Sequence, residues 1–320
     1  MHWISWIQLT REPLSFMQKS FVFAAIVALL LLFGSEQRTM PFKRTVVAPL
    51  VDTIVAPLRT LVDEELQFRL ENILRERSDW SSLISKKKMA VSLVDLQDSD
   101  CPRFAQFNGD HMMYAASLPK IAVLLAAMDA IDKGELKETS EVKRDMHLMI
   151  SRSDNQASTR MIDRLGFAKI EDVLTDPKYK LYDEQQGGGL WVGKRYGSGG
   201  GRHPEPMKGL SHAATSTQVC RFYYLLAEEA LVNPERSQQM MNILADPALH
   251  HKFVNTLDRI APNATLFRKS GSWQTYHSDS VMVLGPNRRY ILVALIDDPS
   301  GESICRELVL EIEKALSVTP

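Results

Sequence analysis

Cysteine is scarce in this 320-residue chain: Cys101, Cys220 and Cys305 are the three, and their spacing fits neither a metal site nor a redox pair. An odd number cannot pair completely, so at least one thiol is free or pairs between chains. Cys220 and Cys305 fall in helical apolar patterns, where a thiol packs as a small hydrophobe. An excess of one charge is also missing, because 38 basic residues face 39 acidic ones for a formal charge of −1. Without a basic field or a basic aromatic stripe, no nucleic acid is expected as a partner. His250 and His251 have no partner at i+4, so no metal is expected. The apolar run at residues 21–33 has thirteen residues, short of the roughly 20 that a spanning helix needs.

That run has the length of a signal-sequence core, and export or anchoring is the reading it favours. Basic residues lie on both sides of it (Arg11 and Lys19 before, Arg38, Lys43 and Arg44 after), so orientation is left open. Translation from Met17 would give a more ordinary signal sequence. Residues 1–35 are therefore read as a leader and 36–60, with three prolines, as a linker. The folded domain is expected over 61–320.

Within it, Asp63 reads as the N-cap of a helix whose Leu66, Leu70, Ile73 and Leu74 share a face. Residues 89–95 and 103–107 read as strands joined by a polar turn. Residues 280–296 read as a hairpin turning at Gly285-Pro286-Asn287. Helices are expected over 141–151, after Asn155, over 215–231, 235–244, 251–260 and 302–317. The order implies an α+β fold: an antiparallel sheet assembled from both ends of the chain, flanked by helices, with an all-α lobe inserted at about 117–260. Eight of the sixteen glycines fall between Gly187 and Gly201, yet Leu190, Trp191, Val192 and Tyr196 are interleaved with them. Large apolar groups suit a loop folded onto the body better than a linker.

The chemistry concentrates in three motifs. Ser117-Leu118-Pro119-Lys120 opens an apolar helical run, with Pro119 in its first turn and the helix expected to start at or just before Ser117. Ser153-Asp154-Asn155 interrupts two helical stretches. Lys269-Ser270-Gly271 follows a β-prone run at 265–268. Ser-x-x-Lys, Ser-Asp-Asn and Lys-Thr-Gly in this order form the signature of class A β-lactamases and penicillin-binding proteins, here with Ser in place of Thr in the third motif. Residues 64–316 thus resemble the class A β-lactamase-like serine hydrolases. The resemblance implies a five-stranded antiparallel sheet with the site between sheet and helical lobe.

Opening an amide or lactam needs an oxygen nucleophile and a base within reach. Ser117 is the expected nucleophile. Lys120 can take its proton only with a lowered pKa, which burial and the second cation Lys269 both favour. Ser153, donor and acceptor at once, can relay a proton to the leaving nitrogen. Lys269 and Ser270 suit a substrate carboxylate, and Gly271 leaves room against the strand. Asn155 would bond either the substrate amide or Lys120, and Asp154 would hold its own loop. The resemblance further implies that the N–H groups of Ser117 and Ser272 stabilise an oxyanion.

Two departures stand out. Only thirty-five residues separate Ser117 from Ser153, fewer than class A β-lactamases usually have. The Glu-x-x-Leu-Asn motif of the deacylating glutamate is not recognisable, and Glu205 is the sole acidic residue between Gly187 and Thr215. Three readings remain: an acyl-enzyme-forming hydrolase of β-lactams with slow release, a D,D-peptidase or other acyltransferase on D-Ala-D-Ala-type peptides, and a non-catalytic envelope module that binds such ligands. No cofactor is expected in any of them. All three suit an exported, periplasmic or cell-envelope protein, anchored in the inner membrane if residues 21–33 are retained.

Overall fold

The computed structural model describes residues 55–245 and 247–317. The leader, with its apolar run at 21–33, and most of the linker lie outside the described residues. Residues 58–60, read as the end of that linker, instead belong to a 3-10 turn, Leu58–Leu61, whose Leu58 is buried in the core.

In chain order the elements are α1 (Glu64–Glu76), α2 (Ser78–Ser85), β1 (Met89–Asp95), β2 (Arg103–Phe107), β3 (Met113–Tyr114), α3 (Lys120–Asp132), α4 (Ser140–Ser151), α5 (Asn155–Leu165) and α6 (Phe167–Thr175). There follow β4 (Tyr182–Asp183), β5 (Gly188–Gly189), β6 (Trp191–Val192), β7 (His212–Ala214), α7 (Ser216–Ala227), α8 (Pro234–Leu244), α9 (Phe253–Ile260), β8 (Thr265–Trp273), β9 (Tyr276–Gly285), β10 (Arg288–Asp297) and α10 (Gly301–Ser317). Five strands form one antiparallel sheet in the order β2-β1-β10-β9-β8. The fold is α+β, as expected.

Local signals explain most helix starts. Asp63, Thr139, Asp154, Thr215 and Asn233 each accept a backbone N–H at the start of a helix, a cap that stabilises a helix by about 1 kcal/mol. The β9–β10 hairpin pairs Gly285 with Arg288 across Pro286 and Asn287. β1 pairs β10 from Met89 with Ile296 to Asp95 with Tyr290, so the two chain ends share the middle of the sheet.

Alternate residues of these strands feed two cores. Ala90, Val94, Ile291, Val293 and Leu295 pack against α3, α7 and the rest of the helical lobe. Val91, Leu93, Leu292, Ala294 and Ile296 pack against α1, α2 and α10 on the other face. Phe253, Val254 and Leu257 of α9 join this second core. The helical lobe therefore ends with α8, earlier than the expected residue 260, because the apolar stripe of α9 faces the C-terminal helix.

The glycine-rich stretch folds onto the body. Leu190, Trp191 and Val192 are buried, and β6 and β3 flank β7 in a small antiparallel sheet. That sheet holds the turn carrying Ser117, since Ala115 N–H bonds to the His212 carbonyl at 2.9 Å. Cys220 and Cys305 are free and buried, and Cys101 is free and exposed.

Candidate active site

Three segments distant in sequence meet beside β8. The turn after β3 carries Ser117, the α4–α5 connection carries Ser153 and Asn155, and the strand carries Lys269 and Gly271. Ala116 has φ +50° and Ser153 φ +55°, a left-handed backbone that costs a non-glycine residue about 1–3 kcal/mol. The surrounding packing holds both.

Ser117 lies on a tight turn ahead of the helix. Leu118 N–H bonds to Ala115 O at 3.1 Å and Lys120 N–H to Ser117 O at 3.3 Å, both 3-10 in type. The α-helix itself begins at Lys120, three residues later than the spacing suggested. Apolar periodicity cannot tell a 3-10 turn from a first α-turn, because both place i and i+3 on one side.

Lys120 is 0 % exposed. Its Nζ donates to Ser153 O at 2.7 Å and Asn155 Oδ1 at 2.8 Å, with Ser153 Oγ at 3.3 Å. Burial pulls its pKa down to about 7, against the opposing effect of the Asp154 carboxylate. In its neutral form the amine has two N–H donors and one lone pair, so the two shorter bonds can use both donors and leave the lone pair to accept. Ser117 Oγ has no hydrogen bond among the described residues; such contacts are often loose before substrate binds.

Lys269 is also buried, and its Nζ donates to Ser153 Oγ at 2.9 Å and Ser270 O at 2.7 Å. Burial, and after it the neighbouring Lys120 cation, hold its pKa well below the ordinary lysine range. The repulsion expected to lower Lys120 thus falls on Lys269. Ser153 Oγ joins the two amines. Asp154 caps α5, accepting Ala157 N–H at 2.6 Å.

The expected substrate contacts divide. Asn155 and Ser272 line a cleft of about 570 Å³ with Ser117. Ser270 does not; it is buried, with Oγ 3.4 Å from His251 Nε2. Lys269 and Gly271 do not line it either. Gly271 has a different reason from the one expected. A Cβ there would sit 2.4 Å from Ala115 O and 2.5 Å from Ser117 N, so the bare backbone admits the Ser117 turn, with no need to invoke substrate.

Several cleft residues lie outside the three motifs. Tyr114 and Tyr276 meet edge to face at 5.3 Å, and Trp273 is 58 % exposed. Tyr196 places its ring centre 4.4 Å from Lys120 Nζ and 4.3 Å from the His212 ring. His212 is held neutral, its pKa lowered to about 4 by burial, with Nε2 2.9 Å from the Lys194 carbonyl oxygen. Lys194 adds positive charge, and Arg195 is paired with Asp163 at 2.5 Å. Among the described residues no carboxylate lines the cleft. Glu205 is 1 % exposed, and its carboxylate accepts from Tyr182 Oη, from Met207 N–H at 2.9 Å and from Lys208 N–H at 2.6 Å.

The model of the Beta-lactamase enzyme family matches residues 75–146 and 139–317. The chain belongs to that family. Among solved structures, a β-lactamase from Sphaerobacter thermophilus is similar at 17% identity and a TM-score of 0.60, over 75% of this chain and 97% of that one. PBP-A is similar at 18% identity and a TM-score of 0.57, over 79% and 96%. A β-lactamase from Chitinophaga pinensis is similar at 13% identity and a TM-score of 0.58, over 77% and 98%. Identities this low speak for the fold alone. No curated protein sequence matches the chain. At family level the protein is a β-lactamase-like serine hydrolase.

Proposed function

We propose that Ser117 opens β-lactam rings to form an acyl-enzyme that this protein releases slowly. The observation that carries the reading is the placement of Lys120: a fully buried amine held by Ser153 O and Asn155 Oδ1, whose pKa burial pulls down to about 7. Lys120 takes the Ser117 proton as Oγ bonds to the lactam carbonyl carbon. The Ser117 N–H and the Ser272 N–H hold the oxyanion. When the C–N bond breaks, the proton passes from Lys120 through Ser153 Oγ to the departing nitrogen. Asn155 orients Lys120, and Lys269 orients Ser153. Ser270 acts on a substrate carboxylate only if its hydroxyl turns from His251.

Hydrolysis of the ester needs a base that activates water. Glu205 is committed to its own loop, and the cleft carries aromatic rings and cations. Incubation with benzylpenicillin, read by intact mass, tests the proposal: a persistent adduct on Ser117 is expected, and its absence would overturn it.

The lack of a cleft carboxylate also favours a second reading, a D,D-peptidase or acyltransferase in which a peptide amine, itself a nucleophile, accepts the acyl group from Ser117. Turnover of D-Ala-D-Ala peptides with an added amine acceptor separates it from the first. One of the similar structures is PBP-A as an acyl-enzyme complex with penicillin G, which supports the acyl-enzyme in both readings. A module that binds without bonding would give no adduct. Either substrate class would suit a protein of the periplasm or cell envelope, for which residues 21–33 would serve as export signal or membrane anchor.

A further inference from the structure

Lys252 stands outside the three motifs. It is 0 % exposed, and its backbone has φ +55°, strain that marks a position held by its surroundings. No carboxylate pairs with it among the described residues. Asp279, the nearest acid on β9, is engaged by Arg268, with Nε–Oδ1 at 2.7 Å and Nη2–Oδ2 at 3.0 Å, and by Phe253 N–H at 3.1 Å. Lys252 Nζ donates instead to two carbonyls that face each other across β8 and β9, Gly271 O at 2.5 Å and Ser278 O at 3.0 Å. A buried ammonium without an ion-pair partner is costly, and a methionine of similar length would avoid that cost.

The Gly271 carbonyl belongs to the same peptide unit as the Ser272 N–H. In a trans peptide the two point in opposite directions. With its oxygen turned to Lys252, this unit directs its N–H away from Lys252. A cation on the carbonyl oxygen draws electron density along the amide and makes the N–H a stronger donor, since hydrogen bonds in series polarise one another. The same unit is fixed from the other side: a Cβ on Gly271 would lie 2.5 Å from Ser117 N, and Ser278 Oγ bridges Ala115 O at 2.8 Å and Gly271 O at 3.3 Å.

We infer that Lys252 is a positioning residue for acylation, which polarises and orients the Gly271–Ser272 peptide so that its N–H holds the oxyanion. The inference rests on the acyl-enzyme reading of Ser117 given above. Lys252 touches neither substrate nor reacting atoms. Its role is transmitted through one peptide bond.

The test compares wild type with Lys252→Met by intact mass and by the infrared band of the acyl-enzyme ester carbonyl. Weaker donation from the Ser272 N–H should move that band to higher wavenumber. Acylation should slow by about tenfold with little change in substrate binding, less than the roughly hundred- to thousand-fold that follows complete loss of an oxyanion donor. Lys252→Gln keeps a neutral donor and guards against a methionine variant that does not fold; its band should fall between the other two. A wild type that forms no adduct would bring down the acyl-enzyme reading and this inference with it. Adducts with the same carbonyl band in wild type and in either folded variant would overturn the inference alone.

Discussion

The two sides of the cleft differ in kind. On the side where the sheet meets the helical lobe, Ser153 Oγ lies within 3.3 Å of both buried amines, and β8 closes on the Ser117 turn without an intervening side chain. On the loop side, from β6 to β7, the cleft is lined by Tyr196, His212, Lys194 and an Arg195 paired with Asp163, and the single acid of that loop serves the loop itself. One wall is equipped to move a proton off a serine. The other offers nothing acidic to take one from water. Bond formation and bond release can therefore be provided by separate stretches of chain, and the first can be complete while the second is not.

The largest effect should come from removing the oxygen. Ser117→Ala is expected to abolish covalent labelling by penicillin, read by mass, and labelling at the wild-type level would show that the sheet side has been misassigned. Lys120→Arg comes next. An arginine cannot deprotonate, so acylation measured by stopped flow should slow by at least about a hundredfold.

Acidity gives a smaller, graded effect. Lys120 titrates at about 7, and only its neutral form accepts the serine proton. Lowering the pH through that value protonates it, so acylation should fall about tenfold per pH unit below 7 and level off above it. A flat profile between pH 5 and 8 would count against Lys120 as the base.

On the loop side the expected change is least. Glu205→Gln should alter the acyl-enzyme lifetime by less than about tenfold, well inside the range for removing a working general base. It should still lower the urea midpoint, because a buried acceptor loses its charge-assisted bonds at a cost of about 1–3 kcal/mol. A collapse of turnover instead would join the two walls into one machine.

Much of this was legible because the signals are local. A capping Asp or Thr, an alternating strand and a two-residue turn each act over a few residues, so the sheet strands and several helices fall close to where the pattern puts them. The three motifs also converge, as each lies at the junction its chemistry needs. What escaped depends on contacts across the chain. The burial of Ser270 depends on its contact with His251, and the reason for Gly271 lies in a backbone 154 positions away at Ser117. Lys252 has no motif at all. Only the fold reveals which carbonyls it reaches.

The pairing of β1 with β10 sets the order in which the protein can become active. Met89 and Ile296 lie about two hundred residues apart, and the strand that faces Ser117 ends at Trp273. Contacts so distant in sequence form late and slowly. During synthesis the serine and its lysine emerge long before β8 exists to complete their surroundings. If Ser117 is the nucleophile proposed above, a nascent or truncated chain should carry it inert, and reactivity should appear only when the last quarter of the chain has folded back onto its first third.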